Sequence, residues 1–517
     1  MKTKNSLHQI SRIITRERIC LVFLACNAML AIPGHSATSE KLISKTEESQ
    51  PPSVNAASLP TKLSTAPVLG DPLPLGQDWP VKTVPSYVPN REDFIHANQK
   101  QAQDILNVKD FGAVGDGASH PLSDDFKSQS ELDEKFGRGL YQLSDERDYV
   151  GVCEAIRFSR YFGTTRGKAN PDLLAMIGRP EHVTSMNAVR VPAGLYVINR
   201  TIDLMGLYGF SLCGDGTPQT VFYFTKPAPL FWLQRSSNMK FKDFLVLSNT
   251  KCKSTGFYIV DDLKKDPNRQ GSPTFQNVFD RLSFHGLYKA IDLAGDVMTD
   301  NEYFYSCRFL HNQIAIHQRN AQCMSVELFG CDFQCNKNAL LVEAGGQINV
   351  HGGDFIANDT MLLLAPNKMF TKSTGGGSTI NRNNGKFNFL GVRFEQDEYP
   401  LFDAIDDGSL LAQINFDNCA VYQRAVGKGG ALGILHNGMN VVLRNLNVGP
   451  YEVKVLGDIG DFDEKRKGAL IFDNIIGSLS YAEVNGLSTV FDGRKWNVSA
   501  DMIVTNAADW KHVVKVR

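Results

Sequence analysis

The sequence predicts an all-β protein: a right-handed parallel β-helix, or solenoid, closed at its N-terminal end by a capping helix. Three observations carry this reading. The first is a pattern that returns about every 25 residues, the mark of a repeat architecture. An aromatic or aliphatic residue is followed two positions later by Ser, Gly or Asn, and five positions later by Phe or Val. It reads Phe304-Tyr-Ser-Cys-Arg-Phe309, Leu328-Phe-Gly-Cys-Asp-Phe333, Val350-His-Gly-Gly-Asp-Phe355, Phe389-Leu-Gly-Val-Arg-Phe394, Phe416-Asp-Asn-Cys-Ala-Val421 and Leu443-Arg-Asn-Leu-Asn-Val448. Phe279-Asp-Arg-Leu-Ser-Phe284 opens the set, and Phe472-Asp-Asn-Ile-Ile-Gly477 ends it in faded form.

The second observation is the middle column. Gly330, Gly352, Gly391, Asn418, Asn445 and Asn474 are residue types that tolerate positive φ, and a left-handed residue there bends one strand sharply into the next. Arg281 and Ser306 are the exceptions. The third is what lies between the bends: short apolar runs such as Ala339-Leu-Leu-Val342 and Met361-Leu-Leu-Leu364, with no intervening helices. Short strands and tight bends make a coil whose turns stack at about 4.8 Å. The L-x-x-L-x-L frame of a leucine-rich repeat is absent.

The elements follow in order. Lys2, Lys4, Arg12, Arg16 and Arg18 precede the apolar run Ile19 to Ile32, with Gly34, Ser36 and Ala37 after it. This is the pattern of an export signal over 1–37, which implies a secreted or periplasmic protein. Residues 38–100 read as a linker, since nine of the chain's 22 prolines fall between Pro51 and Pro89 among Ser, Thr and Lys. The β-helix domain is expected over 101–517. The mature chain has no run of about 20 apolar residues, so no membrane span is expected. A net charge of −1 gives no electrostatic footprint for nucleic acid.

Eight of the ten cysteines lie beyond the signal. Export permits disulfides, yet Cys307, Cys331 and Cys419 share one inward column with Val392, where free thiols pack as small hydrophobes. Cys331 and Cys335 lack a second pair at zinc-ligand spacing, so no metal site is expected there. Asp458, Asp461 and Asp463 leave calcium open as a cofactor, although the run departs from an EF-hand loop. No other cofactor is expected.

Three further segments carry a family resemblance. Asp110-Phe-Gly-Ala-Val-Gly-Asp-Gly117, then Val191-Pro-Ala-Gly-Leu-Tyr196, then Gly214-Asp-Gly216 resemble the N-terminal cap and first coils of the pectate-lyase-like superfamily, in its tailspike-type branch. The resemblance implies a capping helix between the first two motifs, over Arg147 to Phe162, with Val150, Val152, Ala155, Ile156 and Phe158 as its apolar stripe. It covers about 107–480. It is specific for fold and weak for activity, because such folds host lyases, hydrolases, epimerases and non-catalytic members. Insertions at roughly 118–146 and 164–186 are read as a lid, an oligomer contact or decoration, and a homo-oligomer is left open.

Two groups of residues could carry chemistry. Aligning Lys289-Ala-Ile-Asp292, Ile314-Ala-Ile-His317 and Asn338-Ala-Leu-Leu-Val-Glu343 places Asp292 and His317 on adjacent rungs, with Glu343 outward on the next rung two positions along. Asp403 follows on a later rung. An Asp–His–Glu group in a groove can accept and donate protons across a glycosidic bond, while outward acids on a solenoid are commonly just solvated. The alternative is the column Arg308, Asp332, Asp354, Arg393, whose two carboxylates suit a retaining glycosidase by spacing and a structural charge ladder by composition. His351 lies beside it and is read as a cap on the bend. The longest interruption of the repeat, Pro366 to Lys386, offers Lys372 and Arg382 as substrate-binding cations beside Asp403. These readings lead to an exported enzyme that cleaves a polysaccharide, as a lyase or a glycoside hydrolase. The rival is a non-catalytic adhesin or polysaccharide-binding scaffold.

Overall fold

A computed structural model describes residues 105–516 with interruptions, the longest at 168–182, 262–273, 366–384, 459–468 and 491–501. The chain forms a parallel β-helix. Three long sheets of 14, 11 and 12 strands have near-equal counts because each coil gives one strand to each sheet. One coil runs Glu302–Tyr305 in the first sheet, Arg308–Leu310 in the second and Ile314–Gln318 in the third. The next runs Ser325–Phe329, Asp332–Gln334 and Asn338–Val342, and each strand pairs parallel with its predecessor. The last strands, Met502–Thr505 and Lys515–Val516, pair antiparallel.

Alternation puts every second side chain inside. Phe284, Phe309, Phe333 and Phe355 stack face to face at 5.1, 4.6 and 4.4 Å between ring centres. Phe279 stacks on Phe304 at 4.6 Å. Cys307, Cys331, Val392 and Cys419 lie buried in their shared column. The three thiols form no disulfide, and each donates to a backbone carbonyl of the preceding coil, as Cys307 does to Phe279 O at 3.3 Å. Burial pushes the Cys419 thiol up to about 11, so it stays protonated.

The bend column is left-handed throughout the described coils: φ is 59° at Gly330, 67° at Gly352, 65° at Gly391, 55° at Asn418 and 49° at Asn445. Asn474 lies outside the described residues. The two chemical exceptions obey the same geometry, with φ of 51° at Arg281 and 50° at Ser306. A left-handed non-glycine costs about 1–2 kcal/mol. Here the bend donates a ladder bond, Arg281 N to Tyr305 O and Ser306 N to Phe329 O, both 2.8 Å. A second left-handed column, Gly286, His311, Cys335 and Ala357, follows the second sheet. Next to it Asn312, Asn336 and Asn358 are buried in a ladder, Asn312 Nδ2 donating to Asn336 Oδ1 at 3.0 Å and Asn336 Nδ2 to Asn358 Oδ1 at 2.9 Å.

The N-terminal end holds two helices, α1 (Gln129–Phe136) and α2 (Arg147–Gly167). α1 falls in the first insertion. α2 is the expected cap, and it runs beyond Phe162. Val150, Val152, Ala155 and Ile156 bury into the cluster that holds Val108 and Tyr196. Asp148, in its first turn, accepts from Val114 N, Gly115 N and Val197 N at 2.7, 3.0 and 2.8 Å. That one carboxylate ties the helix to the first cap motif and to Val197, the residue that follows the second. Gly115, at φ 72°, lets the Tyr196 ring approach where a Cβ would stand 2.7 Å from it. Among the described residues no helix is long and apolar enough to cross a membrane.

Candidate functional site

The third sheet presents one outward column in strict register: Asp203, Trp232, Tyr258, Asp292, His317, Leu341, Leu363, Asp403. Asp292 and His317 are therefore direct partners, as the sequence alignment requires. Glu343 sits two positions past Leu341, where its N–H donates to Gln318 O at 2.8 Å. The three side chains meet. His317 Nδ1 lies 3.3 Å from Asp292 Oδ1, and His317 Nε2 lies 3.1 Å from Glu343 Oε1. Neither carboxylate oxygen lies along an N–H direction of the ring, so these are close contacts without aligned hydrogen bonds.

Asp292 and His317 point outward but do not face open solvent: their side chains are 5% and 6% exposed, against 29% for Glu343. Two cations that the sequence reading did not single out close on Asp292. Arg319 grips Asp292 through two parallel bonds, Nε to Oδ1 at 2.9 Å and Nη2 to Oδ2 at 3.0 Å. Lys289 Nζ adds a bond to Oδ2 at 2.9 Å. Arg319 was legible, since it stands two residues after His317 and a strand repeats every second residue. Its guanidinium also lies 6.0 Å from the ring centre of Tyr258, which in turn meets Trp232 edge to face at 5.6 Å.

The electrostatics follow from these contacts. Burial alone would raise the Asp292 carboxyl. Its contacts with His317, Arg319 and Lys289 outweigh burial and hold it well below the usual carboxylate range. Burial likewise acts to raise Glu343, and His317 first, then Arg319, overrides it and lowers the group. Both acids are carboxylates at neutral pH. Asp292 has both oxygens occupied by cations, whereas Glu343 is the member that reaches solvent.

Asp332 and Asp354 are register partners on the second sheet, away from this row. Each has its own arginine: Arg308 Nε to Asp332 Oδ2 at 3.3 Å, and Arg393 to Asp354 through two bonds at 2.9 and 3.1 Å. That is the geometry of a charge ladder. The His351 carbonyl accepts from the bend residue Gly330 N at 2.9 Å, while its ring stacks on Phe329 at 4.7 Å and its Nε2 lies 3.2 Å from Glu327 Oε2. Asp403 shares the Asp292 column, two strands beyond Leu341. Lys372, Arg382, Asp461 and Asp463 lie outside the described residues.

No family model and no curated protein matches this chain. Solved structures do match. The mannuronan C-5 epimerase AlgE4 A-module of Azotobacter vinelandii is 13% identical at a TM-score of 0.36, over 75% of this chain and 100% of that one. The surface adhesin PfbA of Streptococcus pneumoniae is 11% identical at 0.38, over 80% and 99%. The catalytic unit of a GH87 α-1,3-glucanase from Streptomyces thermodiastaticus is 12% identical at 0.32, over 76% and 70%. The likeness is one of fold. A fold of this kind does not fix a function, so the residues must decide it.

Proposed function

We propose that the protein is an exported polysaccharide-active enzyme whose reacting base is Glu343, backed by His317 and Asp292. The observation that carries this is the contact chain itself: three titratable side chains from three consecutive coils meet, and only the last reaches solvent. Asp292 is fixed by Arg319 and Lys289 and acts as a positioning residue for His317. Glu343, lowered by His317, is ionised and suited to take a proton rather than to give one. A base of this kind serves either a lyase, by removing the proton α to a uronate carboxylate, or a hydrolase, by activating water. The groove would run along the third sheet's outward column, from Trp232 to Asp403.

The reading is tested on a panel of polysaccharides with the wild type and Glu343→Gln. Products absorbing in the near ultraviolet identify a lyase, and new reducing ends without that absorbance identify a hydrolase. Binding without either product, unchanged in Glu343→Gln, sinks the enzyme reading. It would leave the scaffold, which one observation favours: an aspartate saturated by two cations also serves as a clasp between coils.

A further inference from the structure

The first sheet carries a second polar row that the reading above does not use. Glu327, Asn349, Asn388 and Asn415 are successive register partners on its outward face. Their side chains are linked head to tail. Asn415 Nδ2 donates to Asn388 Oδ1 at 2.6 Å, Asn388 Nδ2 to Asn349 Oδ1 at 2.7 Å, and Asn349 Nδ2 to Glu327 Oε1 at 2.6 Å. The amide dipoles all point one way and end on a carboxylate, an arrangement in which each bond strengthens the next. An amide has two N–H donors and two acceptor lone pairs. Within the row Asn388 spends one of each. Gln347 Nε2 also donates to Asn349 Oδ1 at 2.8 Å and Gln413 Nε2 to Asn415 Oδ1 at 3.4 Å, so the row holds its amides in fixed orientations while Asn388 keeps bonding capacity to spare.

A cavity of about 420 Å³ opens on this face, lined by His351, Asn388, Leu390, Gln413, Asn415, Asp417 and Arg444 among others. That volume lies within the roughly 300–1,000 Å³ of ligand clefts. Leu390 is 47% exposed there and supplies an apolar wall. Asp417 and Arg444 are register partners of opposite charge, so the fixed charges of the lining cancel.

We propose that this face is a separate binding site for an uncharged saccharide. Amides oriented in advance match sugar hydroxyls, and Leu390 and Val442 match the apolar edge of a ring. Cancelled lining charge disfavours a uronate chain. The site does not depend on Glu343 acting as a base.

The test uses a printed array of neutral gluco-, galacto- and manno-oligosaccharides together with uronate oligosaccharides. The full chain is compared with Asn388→Ala/Asn415→Ala, with Leu390→Glu and with Glu343→Gln. Leu390→Glu alters an exposed side chain outside the row and keeps the test valid if the double variant misfolds. The expected result is binding to neutral spots that falls at least tenfold in Leu390→Glu and persists in Glu343→Gln. Binding confined to uronate spots, no binding to neutral spots, or neutral binding unaffected by Leu390→Glu overturns the proposal. Binding lost only in Glu343→Gln would overturn it too, while leaving the third-sheet groove intact. A face occupied instead by a second copy of the chain would show in sedimentation as an assembly that Leu390→Glu breaks, with no neutral binding.

Discussion

His317 stands directly over Asp292, one coil further along, with its Nδ1 3.3 Å from the aspartate Oδ1. The pair is the hinge between a buried ionic clasp and a partly exposed acid. Arg319 and Lys289 close it from one side, and Glu343 extends it to solvent on the other.

Asp292 should therefore govern stability as a function of pH. Its folded pKa is depressed despite burial. A depressed carboxyl stabilises the fold above its unfolded pKa of about 3.9 and loses that contribution as pH falls toward the folded value. Asp292→Asn should cost about 3 kcal/mol at neutral pH, because it leaves two cations without their shared partner. The gap to wild type should narrow below about pH 4. Urea midpoints at pH 7 and pH 3 measure it, and a gap that stays constant would refute the clasp.

Glu343→Gln should cut turnover roughly a hundredfold or more on a proven substrate. Its melting temperature should barely move, since the side chain is partly exposed and ends the chain of contacts. His317→Ala should lose activity and also stability, because that ring is buried. If Glu343→Gln keeps full turnover, the Asp332–Asp354 column is the next candidate.

The coil was legible because its signal is steric and repeats. A column of Gly and Asn announces a left-handed bend, and the structure bends at every described member of it. Arg281 and Ser306 show the limit: their residue types hide a conformation that the ladder bonds of neighbouring coils enforce. The Asn312–Asn336–Asn358 ladder was equally readable, each Asn falling three residues after a repeat Phe, yet polar residues drew no expectation of burial. The Asp292–His317 pairing was legible because register follows from the repeat. The burial of that pair was not, because it depends on where the long Arg319 and Lys289 side chains reach.

Asn418→Ala should destabilise the fold by roughly 1 kcal/mol or more. Asn418 sits at φ 55°, where Cβ meets the following backbone, and its N–H must still donate to Arg444 O at 3.1 Å. Asn418→Gly should be milder, since glycine accepts the conformation freely. Thermal melts compare the three, and equal values for wild type and the Ala variant would contradict the strain account.

Arg319→Gln offers the sharpest test of the base assignment. Burial acts to raise Glu343, and Arg319 is one of the charges that reverse it. A base works only when ionised, so activity should fall on the acid side of the Glu343 pKa. Removing Arg319 weakens the lowering influence and leaves burial in place, so the pKa rises. The acid limb of the rate profile should then move to higher pH, while activity at alkaline pH falls less. The same substitution frees Asp292 and should reduce stability, which circular dichroism across the pH range separates from the kinetic effect. A limb that stays in place while the fold remains intact would mean that Glu343 is not the titrating base. Activity that instead falls on the alkaline side, along a limb that moves to higher pH when Arg319 is removed, would mean that the group must be protonated to act, which turns the assignment from base to acid.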